Sequence, residues 1–246
     1  MPDAARLNVI PRPRESVVLG PAVSIPCAVE LVTDGLAADE RATISELLHA
    51  RLEELSIGSA AAKSARAAND CGRVIAGIAG SAPAADAALA AHGLELPGAG
   101  GDEAHVLLVD HGGVVVVGRG IRGVHHGIHT LLQLLHRRGD AIMVPRVLVR
   151  DWPLMAVRGV SDDVSRGQIS TPEDFRSIIR RLAALKVNTY LPYIEDMFAF
   201  RAFPEVGAGR APLTAEEVRD MVDFARRHHV EVVPVFQTLG HQERML

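Results

Sequence analysis

The sequence predicts an α/β protein in two parts. A small α+β domain over residues 1–150 is followed, over residues 151–246, by the strand–helix alternation that opens a (β/α)8 barrel or a doubly wound sheet. Three observations carry this. His111-Gly112-Gly113 between the apolar runs His105–Asp110 and Val114–Gly118 is a hairpin signal, so the first part contains antiparallel pairing. Asp151-Trp152-Pro153 punctuates the chain and sets the expected boundary. Beyond it, two helix-start signals alternate with apolar runs, as parallel strands joined by right-handed crossovers require. Periodicity alone does not choose between a barrel and an open sheet.

Taken in order, Leu7–Ile10 and Val17–Leu19 are short strand candidates interrupted by prolines. Ala38–Leu55 reads as a helix, because Ile44, Leu47, Leu48, Leu52 and Leu55 fall on one face. Arg73–Ala79 is a strand candidate rich in β-branched residues. The hairpin leads into a helix over Ile121–His136 with Ile121, Val124, Ile128, Leu131, Leu132 and Leu135 apolar. Mixed helices and antiparallel strands make this part α+β. In the second part, Met155–Val160 reads as a strand. Thr171, Pro172 and Asp174 supply an N-cap, an N1 proline and an N3 acid. Phe175, Ile178, Ile179, Leu182 and Leu185 form that helix's apolar stripe. Val187–Tyr193 is the next strand. Thr214 and Glu217 form a capping box for a helix to about His228, with Val218, Met221, Val222 and Ala225 on its apolar face. Val230–Phe236 is almost wholly apolar, as a strand buried on both faces should be.

Composition excludes several classes. With 48% hydrophobic and 23% charged residues the chain can bury a core and is not disordered by composition. A net charge of −4 without a long basic run gives no reason to expect a nucleic-acid partner. No run of about 18 apolar residues is present, so no membrane span is expected. The Met1–Glu15 stretch shows no secretory apolar core, and a cytoplasmic location is the expectation. The two cysteines, Cys27 and Cys71, lack metal-ligand spacing and read as buried free thiols. No cofactor is expected. The alanine-rich stretches Ala60–Ala68 and Ala82–Ala91 read as compositional drift.

Polar groups follow each predicted strand of the second part: Ser161-Asp162-Asp163-Val164-Ser165-Arg166, then Glu195-Asp196, then Gln237-Thr238-Leu239-Gly240-His241. Strand C-terminal ends are where barrels carry function, although loop polarity and helix capping produce the same pattern. Arg158 falls inside the predicted strand, where a guanidinium needs an anionic or hydrogen-bonding partner: substrate hydroxyls, or Asp163 or Glu195. His241 is placed to bridge one carboxylate, for which Glu195 is the candidate, to another. Two lures are discounted. His125 and His129 have the i, i+4 spacing of paired metal ligands, but HHGIH lacks the glutamate of HExxH, so no metal is expected. Gly100-Gly101-Asp102-Glu103 is taken up below.

These motifs together resemble glycoside hydrolase family 20, the β-N-acetylhexosaminidases. The family's barrel opens with R-G-x-x-x-D-x-S-R, matched by Arg158, Gly159, Asp163, Ser165 and Arg166. Asn188 leads to Glu195-Asp196 where the family has Asp-Asp, and Gln237-Thr238-Leu239-Gly240-His241 stands where it has D-x-P-G-H. The first part is similar to the small α+β domain before that barrel, including the Gly120–Leu135 helix. Gln237, Leu239, Glu195 and Leu191-Pro192-Tyr193 depart from the pattern, which describes a divergent member.

The resemblance implies the first three strands of a (β/α)8 barrel, spanning residues 151–246, where a typical barrel takes about 250 residues. It implies removal of terminal N-acetylhexosamine from glycans by a substrate-assisted, retaining mechanism. In that mechanism the substrate's acetamido oxygen attacks the anomeric carbon, an aspartate orients it, and the adjacent glutamate is acid and then base. By resemblance, Arg158, Asp163, Glu195, Asp196 and His241 bind substrate, with Glu195 and His241 as relay candidates. The catalytic Asp-Glu pair follows a fourth strand in the family, so no catalytic residue is expected among these residues and the chain by itself is expected to be inactive. The Gly100–Glu103 match to the family's G-G-D-E is rejected, because it precedes the barrel. The alternatives are a non-catalytic carbohydrate-binding or interaction module, and a different hydrolase sharing only the architecture.

Overall fold

The computed structural model describes residues 7–56, 72–167, 170–241 and 243. Cys71 and Ala60–Ala68 lie outside the described residues. The chain forms two compact units, Met1–Ala156 and Val157–Leu246.

The first unit contains β1 (Glu15–Ile25), β2 (Glu30–Val32), α1 (Ala38–Ser56), β3 (Arg73–Ile78), α2 (Pro83–Ala91), a 3-10 turn (Gly101–Glu103), β4 (His105–Asp110), β5 (Gly113–Gly118), α3 (Ile121–Leu134), β6 (His136–Arg138) and β7 (Ala141–Asp151). They build a seven-stranded sheet in the order β1-β7-β4-β5-β3-β2, with β6 added to β7. The predicted hairpin is β4 against β5, antiparallel from His105↔Gly118 to Asp110↔Gly113. Strand alternation then sorts the side chains. Val114 and Val116 join Leu107, Val109, Val147 and Val149 in one core with Ile44 and Leu48 of α1 and Val124 and Ile128 of α3. Val115 and Val117 join Leu108 and Ala85 of α2 on the other side. Burying a side chain such as Leu48 in full contributes roughly 1.5–3 kcal/mol. Close approach of α3 to the sheet depends on glycine: a Cβ on Gly127 would lie 2.5 Å from Val116 Cγ1.

The structure corrects several expectations here. Leu7–Ile10 is not a strand; Pro11 and Pro13, which follow, lack the N–H that a ladder uses. The short Val17–Leu19 candidate is the middle of an eleven-residue strand. Its irregular register around Gly20 hides the alternation. Ala82–Ala91 is ordered structure: α2 begins with Pro83 in the first turn and continues on alanine, the best helix former. β7 has no counterpart among the expected elements. Its buried positions, Ile142 and Val144 and then Val147 and Val149, change phase at Pro145-Arg146, opposite the irregularity in β1.

The second unit runs β8 (Gly159–Asp163), α4 (Pro172–Ala184), β9 (Thr189–Tyr193), α5 (Ala215–Arg227) and β10 (Glu231–Val232). The strands are parallel in the order β10-β9-β8. The predicted capping box of α5 forms, and the predicted N-cap of α4 proves to be a capping box too: Thr171 Oγ1 accepts from the Asp174 amide and Thr214 Oγ1 from the Glu217 amide, each at 3.2 Å. Phe175, Ile179 and Leu182 of α4 and Met221, Phe224 and Ala225 of α5 pack around fully buried Tyr190. Leu185, expected on the buried stripe, caps α4 and is exposed. The first strand begins later than expected, at Gly159, and Met155 and Val157 before it are exposed. The third is shorter than its apolar run: only Glu231–Val232 ladder with β9, plus a bridge from Val235 to Tyr193. Val233 and Phe236 are exposed on that edge, so the run is not buried on both faces here. Among the described residues no helix is long and apolar enough to cross a membrane.

Candidate functional site

Parallel strands send their following loops to one edge, and in both barrels and open α/β sheets that edge carries the ligand site. β8 ends at Asp163 and β9 at Tyr193, register partners at the sheet's C-terminal edge. Val164 N donates to Tyr193 O at 3.2 Å, so the two loops leave side by side.

Three carboxylates gather there, each matched to a guanidinium. Asp163 accepts from Ser165 N at 3.0 Å, Ser165 Oγ at 2.7 Å and Arg166 Nη1 at 2.6 Å. Partial burial pushes its carboxyl up, but the Ser165 and Arg166 donors outweigh that and hold it below the ordinary aspartate range. Glu195 is 5% exposed, and its Oε1 accepts from Arg166 Nη2 and from Tyr193 OH, both at 2.6 Å. The Arg166 guanidinium also lies over the Tyr193 ring, 5.1 Å from its centroid. Desolvation and the bond to Glu195 raise the Tyr193 phenol, with Arg166 opposing. Glu195 has a φ of +36°, a region that costs a non-glycine residue about 1 kcal/mol or more and persists only where neighbours impose it.

Asp196 is almost fully buried and is held by both oxygens on Arg210 Nη1. The same guanidinium donates through Nη2 to Ser165 O, tying the loop after β9 back to the loop after β8. Gly207 makes room for this fold-back: its φ is +73° and a Cβ would lie 2.3 Å from Asp196 O. One layer deeper, Tyr190 OH donates to Asp162 Oδ2 at 2.8 Å, and burial with that carboxylate keeps the phenol protonated well past its ordinary range. Two guanidiniums, those of Arg166 and Arg210, engage the three carboxylates.

Asp163 and Glu195 are therefore brought together through Arg166, and Asp196 is joined to the same edge through Arg210. Arg158 is not brought to them. It precedes β8, with Nε donating to Lys186 O at 2.7 Å and its amide to Asn188 Oδ1 at 2.8 Å. β8 separates it from Asp163 by roughly 16 Å at about 3.3 Å per residue. His241 is exposed, with φ +55°, in the loop after β10. Glu195 Oε1 is occupied by Arg166 and Tyr193.

Sequence reasoning assigned no role to Arg166, Tyr193 or Arg210. Arg166 carries a local signal, three residues after Asp163 at the strand end. Arg210 carries none, since its partner Asp196 is 14 residues away across a loop.

The discounted motifs lie in the first unit. Glu103 is buried in its 3-10 turn with Oε2 3.9 Å from His126 Nδ1, and Asp102 is exposed, 3.8 Å from Arg122 Nε. His125 Nε2 pairs with Glu40 Oε2 at 2.7 Å.

Comparison with known proteins adds three findings. The family described as "Glycosyl hydrolase family 20, domain 2" matches residues 6–152. A beta-hexosaminidase of Porphyromonas gingivalis (strain ATCC BAA-308 / W83) is 30% identical over 163 residues, covering 57% of this chain and 21% of that protein. Among solved structures, a chitobiase of Flavobacterium johnsoniae superposes with a TM-score of 0.75 at 20% identity over 97% of this chain and 36% of its own. An N-acetyl-beta-hexosaminidase of Streptomyces plicatus, in complex with Thio-NAglucal, does so with 0.71 at 24% identity over 97% and 47%. At these identities the superpositions show a shared fold. The chain spans less than half the length of each of these three proteins.

Proposed function

This chain belongs to glycosyl hydrolase family 20, and from that premise we propose that it is part of a glycosidase that removes terminal N-acetylhexosamine from glycans. Residues 1–150 are its small α+β domain, and residues 151–246 contribute the first three strands of a (β/α)8 barrel. The parallel β8, β9 and β10 with intervening α4 and α5 support this. Parallel strands joined by helices would also suit an open sheet, but the superposition over nearly the whole chain favours the barrel.

The observation that carries the reading is the convergence of Asp163, Glu195 and Asp196 at the C-terminal ends of adjacent parallel strands. Carboxylates held by arginines and a tyrosine are acceptors for the hydroxyl and N–H groups of a sugar. Asp163 borders that surface, Asp196 anchors the loop beneath it through Arg210, and Glu195 faces the sugar or a relay through His241. A sugar-gripping role for Arg158 rests on its motif alone, because its Nε is held by Lys186 O.

The mechanism proposed is substrate-assisted and retaining, through attack of the substrate's own acetamido oxygen. In the family the acid glutamate and its aspartate partner follow a fourth barrel strand, so neither is expected among these residues; Asp102-Glu103 precedes β8, and Glu103 is buried near His126 of α3. The chain by itself is therefore expected not to turn over substrate.

An assay with 4-nitrophenyl N-acetylglucosaminide tests this. No turnover is expected from the purified chain; turnover that Glu103→Gln abolishes overturns the reading. Calorimetric titration with N-acetylglucosamine then separates a binding surface from an inert one.

A further inference from the structure

Glu195 has two carboxylate oxygens, and both donors fall on one of them. Arg166 Nη2 and Tyr193 OH each reach Oε1 at 2.6 Å, and among the described residues no donor reaches Oε2. The two donors are themselves coupled, since the guanidinium stacks over the phenol ring it shares the carboxylate with. Arg166 is fixed in turn by Asp163, its second carboxylate partner, at 2.6 Å. Asp163 is locked by two donors from Ser165. This chain of contacts leaves the carboxylate little freedom to rotate: turning it would break two charge-assisted bonds at once.

We propose that Arg166 and Tyr193 are positioning residues for Glu195, occupying Oε1 so that Oε2 is reserved as the acceptor for a neutral donor, a hydroxyl or amide N–H of a sugar ligand. The nature of the ligand rests on the glycosidase reading; the positioning does not. Arg166 keeps a full positive charge beside Glu195, because its hydrogen bonds to Asp163 and Tyr193 and the nearby Glu195 all favour the guanidinium. Tyr193 supplies direction, since a phenol offers one O–H donor along a defined axis. An arginine partner alone would fix charge but leave the second oxygen's orientation looser.

The chain has two tyrosines, so carbon-13 labelling of the phenol ring carbon that bears the hydroxyl yields two resonances. Tyr193→Phe assigns them. At neutral pH, Glu195→Gln and Arg166→Met are each expected to displace the Tyr193 signal. Arg166→Lys is expected to restore part of the displacement. The Tyr190 signal, set by Asp162 in the core, should stay in place and reports that each variant is folded. If Arg166→Met fails to fold, Glu195→Gln, which keeps the side chain's size, gives the same reading. A Tyr193 signal unmoved by Glu195→Gln in a folded protein overturns the proposal. Titration with N-acetylglucosamine should move the wild-type Tyr193 signal and not that of Glu195→Gln. A wild-type signal unmoved by the sugar, while the variants do displace it, overturns the sugar as ligand and leaves the positioning in place.

Discussion

Arg166 Nη2 stands 2.6 Å from Glu195 Oε1, so a guanidinium that is 44% exposed neutralises a carboxylate that is 5% exposed. The asymmetry decides what each partner contributes. Removing the arginine strands a charge in a place that water barely reaches, whereas removing both charges relieves that cost.

Arg166→Met is therefore expected to lower the urea midpoint of the second unit more than the double variant Arg166→Met, Glu195→Gln. It should also exceed Arg176→Met, which breaks only an exposed pair with Glu173. Equal midpoints for the single and double variants would show that Glu195 is not stranded.

Asp163 supplies a pH dependence with a defined sign. Its folded carboxyl lies below the unfolded value of about 3.9, so its contribution is fully present above that value and is lost as pH falls through the folded one. Asp163→Asn is expected to lower the denaturation midpoint at pH 7 and to have little effect near pH 2. A difference that persists unchanged into acid would contradict the assignment.

Helix α4 depends on its reciprocal cap. Thr171→Ala removes the acceptor for the Asp174 amide and the hydroxyl that donates to the Asp174 carboxylate. A loss of about 1 kcal/mol is expected, with Thr171→Ser close to wild type. Equilibrium denaturation followed by circular dichroism measures both.

Gly127→Ala tests the close packing of α3. Alanine gains about 1 kcal/mol of helix propensity over glycine, but its Cβ would lie 2.5 Å from Val116 Cγ1 and 3.3 Å from His105 Cδ2. Overpacking of this kind costs about 1–3 kcal/mol, so net destabilisation is expected. A rise in melting temperature would mean that α3 can move off the sheet.

The parts of the fold written in local chemistry were legible. The β4–β5 turn, the N-caps of α4 and α5 and the stripes of α1 and α4 each depend on residues a few positions apart. Ile44, Leu48 and Leu52 are buried where their spacing puts them. The strands were read less well. β7 changes phase midway because its partner β1 is irregular around Gly20, and nothing in β7's own sequence records its partner. The apolar run around β10 pairs along one edge, and its outer residues are exposed where pattern alone would bury them.

The candidate site divides the same way. By itself the sequence determined that acids follow β8 and β9, with Arg166 among those after β8, because strand ends and family motifs are local patterns. Only the tertiary structure decided who partners whom. It gave Glu195 to Arg166 and Tyr193, and Asp196 to Arg210, and it left Arg158 at the far end of β8. Charges pair by distance in space, and parallel strands bring together residues that are about 30 positions apart in the chain.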